Sequence, residues 1–537
     1  MFVVTLLCVG SVAARATTYY VDPVQGNDDA VGTAVGEAWR TLARAQRAPL
    51  QTGDRLLLLA GVRHAGRLLL ENLAGTAKQP ITIGSYARPA GDRNARALID
   101  GRDTRAAVEL RNCSYVVVSD LVVSADGGAP TGDMRCGVLV VADRAGEHRG
   151  IALMRLHVKS VSFENPGFRR PAADVKTANG EGRYGWGIRF LVHQSSGAVM
   201  EQIIVRDCVI ERVDHTGLKF TGPADSIRDL TVQDVRISHS GGPGVQMSGV
   251  AGGRFSQLSV DHSGSTSDSR NWGRGSGLWT WGTRDVVIER SRFTHANGPG
   301  DSAGVHIDFN CRNVVVQYNF SAHNAGGFCE ILGDNYNCAY RYNISVNDGQ
   351  RVKGRDGAFQ EGKTFWLSGY VGAKRKPHGP FNSYFYNNTI YVGEGLTAKF
   401  AVAPTAQGVL VANNLFCVVG SSAKVAGDQA RGEQAALQPV ERAFVAHNLF
   451  LRADNWPAGL GLADQAPVIG NPGFAQPGGE RLEDYVPGNR ALVHDRGIAI
   501  PPLPGDNVGL ALGLTVATDI RGQPITGAPD IGAIELP

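Results

Sequence analysis

The chain lacks most of what would mark a nucleic-acid, metal or membrane-spanning protein. Its 53 Lys and Arg nearly cancel its 50 Asp and Glu, leaving a net charge of +3. That balance is too mild for a nucleic-acid partner. Eight cysteines occur, none in a C-x-x-C spacing, which speaks against a zinc site. No apolar run after the first residues approaches the roughly 18 needed to cross a bilayer, so no membrane span is expected. Runs of helix formers are scarce too. The short stretch "AWRTLARAQRA" at 38–48 is the exception and places Trp39, Leu42 and Ala45 on one helical face.

The N-terminus reads as a targeting segment. Residues 2–12 are apolar, and "ARA" at 14–16 is a small-residue cleavage site, although a basic n-region is missing. A signal peptide over 1–16 and a secreted or periplasmic protein are the expectation. Removal would leave seven cysteines, an odd number allowing at most a few disulfides. Cys311 and Cys338 are the favoured pair, although spacing alone does not fix it.

What is abundant is turn chemistry. Gly is present 69 times, and short alternating segments break again and again at Gly, Asn or Asp. They include "QIIVRDCVIERVD", "DLTVQDVRISHSGG", "DVVIERSRFTHANG", "NVVVQYNFSAHNAGG", "SYFYNNTIYVGEG" and "GVLVANNLFCVVG". Asn319, Asn343, Asn388, Asn414 and Asn448 occupy matching places. Such asparagines tolerate the left-handed conformation of a tight turn and can hydrogen-bond in a ladder. A unit of two or three short strands cannot bury its own apolar face, and stacking the units solves this. The expectation is an all-β protein: one right-handed parallel β-helix over 17–454, with a short N-terminal capping helix. A Pro/Gly-rich closing segment over 455–537 would then pack on the solenoid.

The stretches "YYVDPVQGNDD", "AWRTLARA" and "GDRLLLLAG", followed by β-repeats and a final "PDIGAIE", resemble the secreted right-handed parallel β-helix carbohydrate-active enzymes. That group includes pectate-lyase-like lyases and several glycoside hydrolase families. The resemblance implies the fold and a polysaccharide or oligosaccharide substrate, but not the reaction, because one scaffold hosts many chemistries. The paired-Asp and "GHG" signatures of polygalacturonases and the "RxPxxR" of pectate lyases are missing.

Site residues follow from aligning a recurring Gly-apolar-X pattern: "GIR" at 187, "GLK" at 217, "GVQ" at 244, "GLW" at 277 and "GVH" at 304. With the apolar residue inside, Arg189, Lys219, Gln246, Trp279 and His306 form one column on the solvent side. Two residues on, Leu191, Thr221, Ser248, Trp281 and Asp308 form a second. In "GGFCEILG" a one-residue shift turns Glu330 outward beside Asp308, avoiding a buried, unpaired acid. Glu361 and Lys363 in the next coil point the same way. Two acids on adjacent strands suit retaining glycoside hydrolysis, with Asp308 as nucleophile and Glu330 as acid/base. Trp279 and Trp281 offer faces for sugar rings. Arg189, Lys219 and His306 offer partners for hydroxyls or a sugar carboxylate. Asp308 could instead cap a turn or bind a structural calcium with Asp301 or Asp334. The residues "AKRKPHG" at 373–379 read as a loop bordering the cleft.

The primary expectation is thus a monomeric secreted glycosidase that needs no cofactor or metal. Two alternatives stand beside it. One is a polysaccharide lyase, with Lys219 or His306 as base and calcium possible. The other is a non-catalytic carbohydrate-binding protein.

Overall fold

The structure, a computed structural model, describes residues 16–88, 92, 94–102, 104–127, 134–163, 185–264, 273–429 and 439–537. The expected signal segment lies outside the described residues except for Ala16. Among the described residues no helix is long and apolar enough to cross a membrane.

Each coil contributes a short strand to each of three sheets. Sheet I has 15 strands, sheet II has 14 and sheet III has 12. The ladder pairings are parallel, as in Val286 beside Val314 in sheet I and Phe293 beside Ser321 in sheet II. The chain runs from sheet I to II to III and back to I, giving a right-handed parallel β-helix. Alternation sends one side-chain set into the lumen. Leu56, Ile83, Val118, Leu153, Val205, Val232, Phe255, Ile288 and Val316 stack there in one continuous core. The helix Leu42–Ala45 closes the first coil, with Trp39, Leu42 and Ala45 buried against that core.

The edge joining sheet I to sheet II is narrow and regular. Arg312–Gln317 and Phe320–Ala322 are separated by two residues, as are Ala339–Arg341 and Ile344–Val346, and Gln407–Ala412 and Leu415–Val418. The second residue of each gap is a ladder asparagine. Asn319 Nδ2 donates to Asn343, which donates to Asn388, then Asn414, then Asn448, and Asp464 ends the row. The left-handed residue is the one before each asparagine, Tyr318, Tyr342, Asn387, Asn413 and His447, at φ between 50° and 57°. The ladder asparagines were expected to take that conformation themselves. They supply side-chain amides to the buried backbone instead.

The edge joining sheet II to sheet III is irregular. It carries the long connections 295–304 and 347–362. The segment after residue 467 runs back along the outside of the later coils. Tyr485, Val493, Leu503, Leu510 and Ile531 are buried in a second apolar cluster with Phe320, Tyr342, Tyr384 and Leu415.

No disulfide joins Cys311 to Cys338: the seven cysteines among the described residues are all free and buried. The Cys311 thiol takes hydrogen bonds with the Thr280 and Thr283 hydroxyls at 3.5 and 3.6 Å, while Cys338 donates to Tyr336 O. Both act as small core residues.

Candidate active site

The outward column on sheet III has the register that the Gly-apolar-X pattern implies. Arg189 pairs with Lys219, Lys219 with Gln246, Gln246 with Trp279 and Trp279 with His306. Leu278, one residue before Trp279, faces the lumen core. In the second column Leu191 pairs with Thr221 and Ser248 with Trp281.

The column is outward but is not on open solvent. Lys219, Gln246 and Trp279 are buried, and His306 is fully so. Neighbouring connections cover the face. Arg351 in 347–362 donates to Gly298 O and Asp301 O, and Phe359 N–H donates to Pro299 O. Trp279 is therefore not a free platform for a sugar. At 4.8 Å strand spacing its ring stacks on His306, with centroids 5.3 Å apart, and its Nε1 donates to Asp308 Oδ2 at 2.9 Å. Trp281 is half-buried: it meets Phe309 edge-on and lines a cavity of about 430 Å³ with Arg189, Lys219, Thr221, Gln246 and Asn310. Arg375, in the expected border loop, lies over Phe309.

Glu330 does shift by one residue. Ala303 bridges to Gly327 and Ile307 pairs with Ile331, so Glu330 stands level with His306 and not with Asp308. Its Oε1 is 3.5 Å from His306 Nε2. Glu361 departs from the expected column. Insertion 347–362 lengthens that coil, so the register neighbour of Glu330 is Trp366. Glu361 sits in the insertion, paired with Lys399 and accepting from Lys353 N–H. Lys363 reaches across to Asp428 at 3.0 Å and lies over the Trp366 ring.

The residue that sequence reasoning undervalued is Asp301. It lies in the Gly/Pro-rich "GPGDSAG", which reads as a turn. Its carboxylate is buried, and single ligating atoms of Asp301, His306 and Glu330 all lie within 4.8 Å of one another. Arg274 Nε holds Asp301 Oδ2 at 2.6 Å, and Gln429 Nε2 donates to Oδ1 at 3.1 Å. The backbone is strained: Asp301 and Ser302 stand at φ 41° and 70°, each costing about 1–3 kcal/mol. Surrounding contacts fix this geometry. Gln360 accepts from Asp301 N–H, and Gly326 N–H donates to Ser302 O. A Cβ on Gly326 would come 1.7 Å from Asp301 O, so only glycine fits beneath the site.

Three buried acids in one place cannot all ionise. Burial opposes the charge on Asp301, but Arg274, His306, Gln360 and Arg351 outweigh it and hold its carboxyl below the usual range. Asp308 is pushed up to about 7 by burial and by the Asp301 charge, against hydrogen bonds from Phe309 N–H and Trp279. Glu330 is raised well above its ordinary value by burial and Asp301, with Lys363 opposing. Burial drives His306 down to about 4, so its imidazole is neutral. The surroundings thus favour the anion at Asp301 and disfavour ionisation of Asp308 and Glu330.

Of the acids considered with Asp308 for a structural calcium, Asp301 accepts from Arg274 and Gln429, and Asp334 pairs with Arg375 and His378.

A family model described as a right-handed beta helix region matches residues 187–390. The chain is 22% identical to lacto-N-biosidase of Bifidobacterium longum subsp. longum over 97% of its own length. It spans 36% of that protein. Among solved structures, GH136 lacto-N-biosidase from Eubacterium ramulus shares 19% identity at a TM-score of 0.49, covering 73% of this chain and 65% of that one. The complex of XylC with xylose shares 9% identity at a TM-score of 0.51, covering 97% and 98%. The last likeness bears on the fold alone.

Proposed function

We propose that the protein is a glycoside hydrolase acting on an oligosaccharide or polysaccharide, with Asp301 and Asp308 as its working pair. The observation that carries this reading is that Arg274 holds the buried Asp301 carboxylate at 2.6 Å, while the buried Asp308 carboxyl has no cation on it and takes only hydrogen bonds from Trp279 Nε1 and Phe309 N–H among the described residues. Environments that push two carboxyls apart sort them into base and acid. Asp301, ionised by Arg274, attacks the anomeric carbon or activates water. Asp308, poised at about 7, gives its proton to the leaving oxygen. A proton donor works best with a pKa near the operating pH. That favours Asp308 over Glu330, which burial and the Asp301 charge raise well above the ordinary range. It also reverses the role expected of Asp308 from sequence: burial beside the Asp301 charge makes it a poor anion. Glu330 and His306 then serve as neutral partners for substrate hydroxyls.

The curated relative named lacto-N-biosidase supports hydrolysis over elimination. So does His306, which at about 4 is too weak a base to abstract a proton next to a uronate. Export, expected from residues 2–16, belongs to the same reading. The test is an oligosaccharide panel scored both for new reducing ends and for ultraviolet-absorbing unsaturated products. Reducing ends without absorbance are expected, lost in Asp301→Asn and Asp308→Asn with the melting transition kept. Unsaturated products, or full turnover in both variants, would overturn it.

A further inference from the structure

Next to the carboxylates, the 430 Å³ cavity runs along sheet III towards the earlier coils, and its far end is cationic. Arg189 lies there with its guanidinium 4.3 Å over the Trp186 ring and its Nη1 3.0 Å from Met134 Sδ. Its Nε is buried and has no hydrogen-bond partner among the described residues. Among the described residues the groups that act on it electrostatically are the Cys136 thiol and Arg105, with no carboxylate. The Arg105 Nε is likewise buried without a partner among the described residues. Burial and Arg189 together drive the neighbouring Lys219 well below the usual lysine range. Closer to the acids, Thr221 Oγ1 and Trp281 Nε1 line the same cavity and are also unpartnered among the described residues.

A partly buried guanidinium whose Nε has lost water, facing another cation, is costly unless an anion completes it. The planar fork suits the paired oxygens of a carboxylate or a sulfate. From Arg189 to His306 the register counts four strand steps, about 19 Å at 4.8 Å each. We propose that Arg189 forms an anion-recognising subsite, which engages a carboxylate or sulfate ester carried by the saccharide about 19 Å from the bond that is cleaved. Trp281 and Thr221 contact the uncharged sugar rings in between. This inference rests on the glycosidase reading for its position in the groove, and its test separates the two.

The test uses the full chain carrying Asp308→Asn, titrated by calorimetry with hexasaccharides of hyaluronan (uronate), keratan sulfate (sulfate ester) and chitin (neutral). At least one charged class is expected to bind about tenfold or more tightly than the neutral one, with affinity falling as salt rises. Whichever charged class binds identifies the anion. Adding Arg189→Gln should erase the preference, and Arg189→Lys should restore part of it, with unchanged melting transitions showing that the fold survives. Equal binding of charged and neutral sugars, a preference untouched by Arg189→Gln, or binding of none would overturn the subsite. Charged preference in a wild-type protein that hydrolyses nothing would sink the glycosidase reading and leave the subsite standing.

Discussion

Two edges of the solenoid bury polar side chains to a similar depth and use them oppositely. On the edge from sheet I to sheet II, ladder asparagines donate and accept in an unbroken row. On the face past the edge from sheet II to sheet III, polar atoms remain over. His306 makes no hydrogen bond through either ring nitrogen among the described residues, and Glu330 Oε1 has none. A buried network with every member satisfied rigidifies a fold. One left incomplete costs stability and is retained where a ligand finishes it. Connection length tells the same story: two residues per turn on the first edge from Met154 onward, up to sixteen described ones in 347–362 on the second.

The comparison breaks most plainly at the acids. Asp308→Asn should lower kcat by at least about 10³-fold, or roughly 4 kcal/mol in barrier, without unfolding the chain. Steady-state kinetics beside a melting curve would show it; loss of fold with loss of activity would place Asp308 with the asparagines.

The opposite pattern is expected at Asn388. Alanine there strands the Asn343 N–H and Nδ2 and the Tyr340 carbonyl, at about 3–4 kcal/mol in denaturant unfolding. The folded fraction should turn over at the native rate. Gly326→Ala lies between the two edges. Displacing the Asp301 backbone should cost roughly 10–100-fold in kcat and a smaller stability loss, with KM little changed.

The remaining effects concern pH. Because Asp308 must be protonated, kcat/KM should fall above about 7, tenfold per unit, with the acid limb below the ordinary Asp range, where Asp301 takes up a proton. The same shift acts on stability. The folded Asp308 holds its proton between its unfolded value of 3.8 and about 7, so the wild type loses stability as pH rises through that window. Asp308→Asn should therefore gain up to roughly 4 kcal/mol on the wild type at pH 8, a gain that vanishes below about pH 4. A gain independent of pH would mean that Asp308 is ordinary in charge.

The repeat, the ladder and the face of Arg189, Lys219, Gln246, Trp279 and His306 are legible in sequence because each depends on local alternation and turn chemistry. Asp301 was not, because its charge state is set by Arg274, His306, Gln360 and Arg351, the last two 59 and 50 residues away. Glu361 was misplaced for a related reason: an insertion breaks the period, and a pattern extended through it slips. Burial of the column was hidden because the covering connections come from neighbouring coils.

The segment after residue 467 also bears on how this molecule comes apart. Glu480 grips Arg292, Gly513 O accepts from Arg341, Asp530 O accepts from Asn387, and His447 meets Arg496 O. These contacts sew the later coils together, whereas the earlier coils, among the described residues, are joined mainly to their neighbours, with the Arg284–Asp225 pair spanning two rungs. A plain stack unzips one rung at a time from a free end. Here the stitched coils should open as a single unit, and the acids sit inside it. Hydrogen exchange should then grade gently through the early coils and step up sharply at about residue 290. On heating, catalysis should outlast the loosening of the N-terminal third and vanish only with the final transition.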